Sequence, residues 1–512
     1  MFHLKVKELL GSLFYNEKCL AADKKGGLLM NIIIGNAWPY ANGPLHLGRI
    51  AVWLPGDILA RYHRMMGDNV VFVSGTDCHG TPVTNRAEEE GITPLKAVEK
   101  YHNEFQECFK SLGFSFDIFE KTHSEYHQEK VKEFILDLYK KGYIYEEVAE
   151  GSKHLFFALS KFENDIRHIF DNQDGWRENA QKILKRYLDE GLRDRAVTRD
   201  FDWGVDVPLA GYEDKKIYVW IEAVMGYLTA SMKCLSERNE DWREYWSGDD
   251  SRVYFVHGKD NIPFHTVIFP AILCGIGIKE PNLRMISSEH LKLEGKPFSA
   301  VKNWALWADY ITKNYNVDSF RYYIMLNSPE NKDTDFSWRE YINVNNTDLV
   351  STLSNYVQKV IRFSRKNYGP KIPNGKIEEN LKNEILDLYF SVGDDIEEGN
   401  FNNALNNIMA FCRKANKDFQ ENLLWEMAEK NPSYCKNKIY NNIQIVANIA
   451  NLLEPFMPNI CENIRNGLNI NEPIWSFVEK KAGILKEVDS ELKKIDKRRA
   501  IDEVLRLKEK RN

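Results

Sequence analysis

Closely spaced cysteine pairs are the first thing that this 512-residue chain lacks. Its eight cysteines include no Cys-x-x-Cys pair, and they lie scattered from residue 19 to residue 461. Secreted disulfide frameworks are short and dense in cysteine, so scattered thiols in a long chain indicate the reducing environment of the cytoplasm. The sequence therefore argues against a disulfide scaffold.

Long apolar runs and a strong excess of charge are also missing. No window approaches the ~18 uncharged apolar residues that a membrane-spanning helix needs, so we expect no membrane span. The formal charge is −6 at pH 7, whereas proteins that coat nucleic acid usually carry a marked basic excess. The composition is that of an ordinary globular protein, and the length allows about two to four domains.

The pattern of apolar residues divides the chain into two parts. From residue 30 to about 340, short apolar runs such as 32–34, 70–73 and 253–256 alternate with helical patterns. This alternation is typical of a doubly wound α/β domain with a parallel sheet. Beyond about residue 340, apolar residues recur at helical spacing between Gly and Pro breakers, which predicts an all-α bundle.

A loop rich in Pro, Gly and Asn follows the first predicted strand and leads into a helix near His46. Over 35–49 it reads Gly-Asn-Ala-Trp-Pro-Tyr-Ala-Asn-Gly-Pro-Leu-His-Leu-Gly-Arg. A helix N-terminus after a parallel strand offers free N–H groups and partial positive charge to a phosphate. Gly48 removes a side chain where a nucleotide could approach the backbone. A turn with a solvated histidine is the alternative interpretation.

The stretch 37–49 resembles the first signature of the class I methionyl-tRNA synthetases, which usually ends His-Ile/Leu-Gly-His. Arg49 replaces the last histidine here, and a cation at that position still favours a triphosphate. Four further blocks match the family in the same order, and the resemblance covers about 30–465. These blocks are 72–82, 195–204, 218–227 and 257–265.

The resemblance implies a methionine pocket at the carboxyl ends of the strands, where α/β sheets bind ligands. Asp77 matches the aspartate that binds the substrate amino group, and aromatic walls suit a polarizable thioether. The implied pocket residues are Ala37, Trp38, Tyr40, Asp77, Trp220, Ala223, Val224, Tyr227, His265 and Phe269. The implied ATP contacts are Asn42, Gly43, His46, Gly258, Lys259, Asp260, Phe298 and Ser299.

The second class I signature is the weak match. The family has a mobile loop of the Lys-Met/Phe-Ser-Lys-Ser type, whose lysines stabilise the departing pyrophosphate. Here Pro297 and Ala300 stand at the usual lysine positions. We expect Lys296 and Lys302 to supply the charge from adjacent positions; the alternative is a turn that no longer acts on ATP. The implied catalytic residues are His46, Gly48, Arg49, Lys296 and Lys302.

The connective region is the largest departure from the family. Relatives usually insert one or two zinc knuckles of the Cys-x-x-Cys type after a sequence like 142–145, whereas here 146–153 leads directly to 154–159. Without thiolate pairs in this window a four-ligand zinc site cannot be built, so we predict no structural zinc. We expect the shortened region to weaken placement of the tRNA acceptor end.

Residues 335–359, in the helical part, are similar to the helix with which the family reads the anticodon. The matching positions are Asn355 and Lys359, with Lys in place of the usual Arg. Loop bases are read by side-chain hydrogen bonds and stacking, so an Asn with a cation one turn away suits this task. Lys lacks the planar fork of Arg, which makes its base contact weaker.

Together these matches predict a Rossmann-like parallel-sheet catalytic domain followed by an all-α anticodon-binding bundle. They imply a cytoplasmic methionine–tRNA ligase that uses ATP, Mg²⁺, methionine and tRNA(Met). Two alternatives stay open: a degenerate relative that binds tRNA or methionine without efficient charging, and a class I synthetase for another amino acid. The oligomeric state is left open.

We expect six divisions of the chain. Residues 1–29 are either an amphipathic extension or an over-long start before Met30. The other divisions are 30–142 for the first half of the catalytic domain, 143–210 for the shortened connective region, 211–340 for the second half with the signature loop, 341–470 for the anticodon bundle and 471–512 for a helical tail.

Overall fold

The computed structural model describes residues 29–149, 151–172, 175–278, 281–489 and 491–509. The expected leader, apart from Leu29, lies outside the described residues. The strands are β1 Asn31–Asn36, β2 Asn69–Thr76, β3 Ile118–Lys121, β4 Ile144–Ala149, β5 Ser152–Phe157, β6 Arg195–Ala196, β7 Thr198–Arg199, β8 Lys216–Ile217, β9 Ser251–Gly258, β10 Leu283–Ser288, β11 Leu291–Leu293, β12 Lys296–Pro297 and β13 Thr334–Phe336.

The α-helices follow the same chain order and dominate the second half. They are α1 Leu47–Met66, α2 Thr81–Glu89, α3 Pro94–Ser111, α4 Glu125–Lys140, α5 Glu163–Asp171, α6 Glu178–Glu190, α7 Val219–Glu222, α8 Gly226–Glu237, α9 Trp242–Ser247, α10 Phe269–Ile276, α11 Ala308–Asn314, α12 Val317–Leu326, α13 Trp338–Val344, α14 Asn355–Tyr368, α15 Glu379–Glu397, α16 Phe401–Glu421, α17 Leu424–Lys430, α18 Pro432–Leu453, α19 Pro458–Leu468 and α20 Arg499–Glu509. Short 3₁₀ turns occupy Leu159–Phe162, Ala223–Met225 and Lys259–Asn261, and π-helical segments occupy Phe264–Ile268 and Asn345–Ser354.

Five parallel strands form the central sheet, in the order β10-β9-β1-β2-β3. Alternate residues of β1 enter different buried clusters: Ile32 and Ile34 join one, and Ile33 joins the other. The sheet is therefore covered on both faces, as parallel sheets are. This confirms the predicted doubly wound α/β fold.

The winding of the sheet reverses between β1 and β9. β1 pairs with β2 on one side and with β9 on the other, while the chain from β2 to β3 moves away from this point. Ligands of open α/β sheets bind outside the carboxyl ends of the strands at such a reversal. The loop after β1 and the 3₁₀ turn after β9 both lie there.

A small antiparallel hairpin stands in the connective region. β4 pairs with β5 from Ile144 and Phe157 to Ala149 and Ser152. Gly151 at its tip has φ +80°, a left-handed conformation that glycine adopts without steric penalty. The hairpin joins the two stretches that the family resemblance separates by an insertion.

The second half of the chain is helical, which confirms the predicted bundle. α15, α16 and α18 pack against one another. The apolar stripes expected from the sequence are fully buried, for example at Ile385 of α15 and Ile408 of α16. In the parts of the chain that the structure describes, no helix is both long enough and apolar enough to cross a membrane.

The tail 471–512 contains less helix than the expected helical tail. The spacing of apolar residues around Val488 predicts helix there, but α20 begins only at Arg499. The described residues before it form no regular helix or strand, and Asn448 of the bundle accepts a hydrogen bond from the Val478 N–H at 2.9 Å. Val488 is buried against the bundle, so tertiary contacts override the helical spacing.

Candidate active site

The first signature segment leaves the sheet at the end of β1 and turns into α1. The Ala37 N–H donates to the Val256 carbonyl at 2.9 Å, which holds the segment beside β9. His46 is the N-cap residue of α1, with extended backbone and no capping bond from its side chain. Its Nδ1 is buried and finds no hydrogen-bond partner among the described residues. A buried ring nitrogen of this kind is one that a bound ligand can satisfy.

The His46 ring is neutral over the physiological pH range. Burial, and then the neighbouring Arg49 guanidinium, lower its pKa to about 3. Burial also lowers the pKa of Arg49, and no hydrogen bond or ion pair within the described ranges engages its guanidinium. The start of α1 therefore offers one neutral imidazole and one unpaired cation to an anion.

The second signature segment, 294–304, is a hairpin that lies over the first; we call it the signature hairpin. The Phe298 ring stacks on the His46 ring with 4.9 Å between centroids and 10° between planes. A Cβ on Gly48 would lie 2.8 Å from the Phe298 ring, so glycine is what permits this approach. On another side of His46, the Trp307 ring lies 6.2 Å away. Two segments far apart in the sequence therefore form one site.

Both lysines of the signature hairpin are exposed. The Lys296 ammonium lies 4.8 Å from the centroid of the Trp304 ring. Lys302 lies in a turn that Ser299 and Trp304 close with paired backbone hydrogen bonds, and the Ser299 hydroxyl accepts from the Lys302 N–H at 3.3 Å. No ion pair within the described residues neutralises either ammonium, so both charges are available to an anionic ligand.

Asp77 follows β2 and lies against the loop that precedes His46. Its N–H donates to the Pro39 carbonyl at 2.8 Å, and its carbonyl accepts from the Ala41 N–H at 3.0 Å. The side chain is buried; burial, and then the charge of Glu222, raise the pKa of its carboxyl well above the ordinary value. A carboxyl that is costly to ionise alone favours a cationic ligand beside it.

Aromatic side chains surround the space next to Asp77. The Trp38 and Tyr227 rings meet edge to face at 6.3 Å. The Tyr227 hydroxyl donates to His265 Nε2 at 2.9 Å, and His265 Nδ1 donates to the Asn261 carbonyl at 2.8 Å. These bonds fix the tautomer of a neutral ring, whose pKa burial lowers to about 4. The wall is apolar, with one oriented polar pair.

Trp220 forms the accessible side of this space and is 46% exposed. Its ring lies 4.9 Å from Phe264 and 5.1 Å from Tyr218. A cleft of about 500 Å³ opens beside Trp220, and Arg199 lines it too. The Arg199 guanidinium lies 4.5 Å from the Tyr218 centroid. Arg199 belongs to the block 195–204, but the family resemblance implied no role for it.

Not every residue implied by the resemblance points to a ligand. Lys259 and Asp260 follow β9 as expected, but both already have partners: the Lys259 ammonium pairs with Glu289 at 2.7 Å, and Asp260 Oδ2 lies 3.2 Å from His290 Nε2. They would have to exchange these partners to bind a nucleotide. The half-buried residues Asn42, Gly43 and Gly258 lie on the loop before His46 and at the end of β9.

Phe269 and Val224 of the implied methionine pocket lie in the core, as do Ala37 and Tyr227. Phe269 is fully buried with its ring 6.0 Å from that of Tyr227, and Val224 is buried in the same apolar cluster. Phe269 and Val224 therefore belong to the apolar packing that holds Tyr227. Ala223, one residue earlier, is half-buried.

The two implied anticodon residues lie on α14. Asn355 is exposed at its start, and the Lys359 ammonium lies 3.4 Å from Asn416 Oδ1 on α16. Arg362 and Lys366 are exposed further along the helix. The spacing of these four residues places them on one face.

A buried polar network behind Asp77 has no counterpart among the sequence predictions. Glu222 is fully buried and accepts from His79 Nδ1 at 2.7 Å and from His127 Nε2 at 2.9 Å. His79 Nε2 lies 3.0 Å from His123 Nδ1, and Thr229 Oγ1 lies 2.8 Å from His127 Nδ1. These five residues, the Glu222 network, come from separate segments, so no local spacing brings them together.

The described residues contain no set of side chains that is suited to bind a metal ion. No group of three or more His, Cys, Asp or Glu side chains among the described residues is arranged to hold a metal ion. The seven cysteines described form no disulfide with one another, and Cys19 lies outside these ranges. The residues present therefore do not fit a zinc knuckle, and the absence of structural zinc stays a prediction.

Comparison with known proteins agrees with this geometry. Residues 32–152 and 147–361 match the family described as class I tRNA synthetases (M), and residues 379–511 match the anticodon-binding domain of tRNA ligases. Methionine–tRNA ligase 1 of Alkaliphilus oremlandii is 42% identical in an alignment 539 residues long. The alignment covers 93% of this chain and 100% of that protein. The chain belongs to the methionine–tRNA ligase family. The family resemblance stated from the sequence is therefore confirmed.

A second relative and a solved structure are also similar to the chain. The methionine–tRNA ligase of Bacillus mycoides is 44% identical over 508 residues, which cover 87% of this chain and 93% of that protein. A crystal structure of the Mycobacterium tuberculosis methionyl-tRNA synthetase bound by methionyl-adenylate has a TM-score of 0.81 at 24% identity. It covers 90% of this chain and all of the other, and at this identity it shows a shared fold.

Proposed function

We propose that this chain is a methionine–tRNA ligase that activates methionine with ATP and transfers it to the 3′ end of tRNA(Met). The contact that joins the two signatures, Phe298 on His46, is the observation that carries the proposal. It supports a single site, because it brings the hairpin that carries the exposed lysines against the start of α1, while the backbone of Asp77 is bonded to the loop before His46. Mg²⁺ enters with the nucleotide, because protein sites usually hold it through substrate phosphates.

Activation forms a bond between the methionine carboxylate and the α-phosphorus of ATP, and the bond to pyrophosphate breaks. Asp77 would receive the ammonium group and so fix the direction of the carboxylate. His46 and the start of α1 would face the phosphates, while Lys296 and Lys302 oppose the charge that grows on pyrophosphate. Preorganised charges of this kind are worth roughly 10²–10³ in rate each.

Transfer to tRNA needs the helical part of the chain. A hydroxyl of the terminal ribose attacks the carbonyl of methionyl-adenylate, and AMP leaves. Asn355 and Lys359 would contact anticodon bases, and the exposed cations Arg362 and Lys366 on the same face suit the phosphates beyond them. The shortened connective region gives the acceptor end less protein to bind.

The divisions stated from the sequence and the cytoplasmic location belong to this proposal. Support for a boundary near residue 340 comes from the end of the sheet region and the start of helices that continue to α19. Free thiols such as Cys78 and Cys412, both buried, suit a reducing compartment.

Amino-acid-dependent ATP–pyrophosphate exchange with a panel of amino acids tests the proposal. We expect exchange with methionine well above that with leucine, isoleucine, valine or cysteine. Preferred exchange with another amino acid would contradict the assignment. Binding of tRNA(Met) without any exchange would favour the degenerate relative that the altered signature hairpin suggests.

A further inference from the structure

The Glu222 network lies directly behind the candidate ammonium site. His79 is two residues after Asp77, and its backbone N–H approaches Asp77 Oδ1 at 3.4 Å. Glu222 is on α7, the same short helix as Trp220, and His127 is on α4. The carboxylate of Glu222 therefore ties the turn that carries Asp77 to the helix that carries the pocket wall.

This turn is held from a second direction as well. The Trp203 indole N–H donates to the Cys78 carbonyl at 2.7 Å, and the Trp203 ring stacks on His123 at 4.5 Å between centroids. The backbone directly after Asp77 thus keeps this anchor if the Glu222 charge is removed. A variant at Glu222 can lose its charge while the turn stays in place.

A fully buried carboxylate is costly unless it is compensated. Burial alone would raise the pKa of Glu222, but the charges and hydrogen bonds of His79 and His127 outweigh it and lower the pKa. The same carboxylate opposes ionisation of Asp77. An incoming cation relieves this repulsion, so the pair attracts an ammonium more strongly than Asp77 would alone.

We propose that Glu222 is a positioning residue for the amino group of the substrate: it holds the His79 turn and places a second buried negative charge behind Asp77. This inference rests on the proposed function, because it takes the ligand beside Asp77 to be an amino acid. Glu222 acts through Asp77 and touches neither ATP nor the reacting carboxylate. Its effect is therefore confined to ligands that carry the ammonium group.

The test compares three ligands in the full-length Glu222→Gln variant: methionine, methioninol, which keeps the ammonium but lacks the carboxylate, and the desamino analogue of methionine. Gln preserves size and one acceptor oxygen while removing the charge. We expect about tenfold weaker binding of methionine and methioninol, and unchanged binding of the desamino analogue. In pyrophosphate exchange the KM for methionine rises, while kcat and the KM for ATP stay within about twofold.

Asp68→Asn is the matched control. Asp68 pairs with buried His63 at 2.8 Å, next to the amino end of β2 and so at the opposite edge of the sheet. We expect this variant to bind all three ligands like the unchanged protein. If Glu222→Gln does not fold, His127→Gln removes one of the two histidine bonds, and about a threefold loss confined to the two amino ligands is expected.

Two results would overturn the inference: an equal loss for the desamino analogue, which indicates a general disturbance of the pocket, or unchanged methionine binding. Failure of the proposed function gives a different pattern: the unchanged protein then either binds neither methionine nor methioninol, or binds methionine without supporting pyrophosphate exchange.

Discussion

The two signature segments of this chain are built in opposite ways. The first is fixed by backbone hydrogen bonds to β9 and to the Asp77 turn, and its His46 ring is enclosed, with a buried Nδ1 that finds no partner among the described residues. The second is a hairpin that presents its lysines to solvent and contacts the first through Phe298. The buried first segment thus determines where the substrates bind, whereas the exposed signature hairpin supplies the positive charge. A lysine can move by a residue in such an element without disturbing the core.

Removing the buried anchor should have the largest effect. In Asp77→Asn we expect kcat/KM for methionine to fall about a thousandfold, because losing one partner of a buried charge pair typically costs 2–5 kcal/mol. Exchange kinetics at varied methionine concentrations measure this. A fall of less than tenfold would mean that Asp77 does not bind the ammonium.

Removing an exposed charge should act on a different kinetic constant. In Lys296→Ala we expect kcat for exchange to fall about a hundredfold with an unchanged KM for methionine. Lys292→Ala is the control, since the Lys292 ammonium pairs with Asp333 at 3.4 Å on neighbouring β11. An equal rise in the methionine KM would show that the hairpin and the pocket are not separate in function.

Loosening the contact between the segments should have an intermediate effect. Phe298→Leu removes the ring stack on His46, and stacked pairs contribute about 0.5–1.5 kcal/mol beyond their buried area. We expect a three- to tenfold fall in kcat with little change in melting temperature. The variant should be compared with Phe363→Leu, since Phe363 pairs with Phe419 in the bundle. If both variants behave alike in exchange, the stack does not position the hairpin.

The smallest expected effect is on the pH dependence of exchange activity and of folding stability. The pKa of His46 is lowered from 6.5 to about 3, so exchange should show no loss from His46 protonation between pH 5 and 8. Protonation favours the unfolded chain, whose histidine keeps the ordinary pKa. Stability therefore falls as pH drops below 6.5, and His46→Gln should remove part of that fall in urea unfolding. A stability profile identical in the variant would contradict the enclosed, neutral ring.

Much of the fold follows from local sequence patterns. The runs at 32–34 and 253–256 marked β1 and β9, because buried parallel strands are short and uniformly apolar. Apolar residues at helical spacing indicated α15 and α16, because an amphipathic helix buries one apolar face. The pattern failed near Val488; earlier in the same tail, side-chain amides of α18 bind the backbone at Val478 and Lys480 through contacts that no short window contains.

The site was only partly visible in the sequence. Family motifs supplied Asp77, Tyr227 and His265, and the structure brings Tyr227 and His265 into direct contact. The stack of Phe298 on His46 and the Glu222 network join residues separated by more than a hundred positions. Such contacts depend on the tertiary fold, so residue spacing alone could not reveal them.

Formation of methionyl-adenylate in a single turnover tests the central claim, that the displaced lysines serve a complete activation site. The unchanged protein should form the adenylate from methionine and ATP. The double variant Lys296→Ala/Lys302→Ala should form it at least about a thousandfold more slowly, with methionine binding unchanged. Adenylate formation at an equal rate in the double variant, or none in the unchanged protein, would contradict the account.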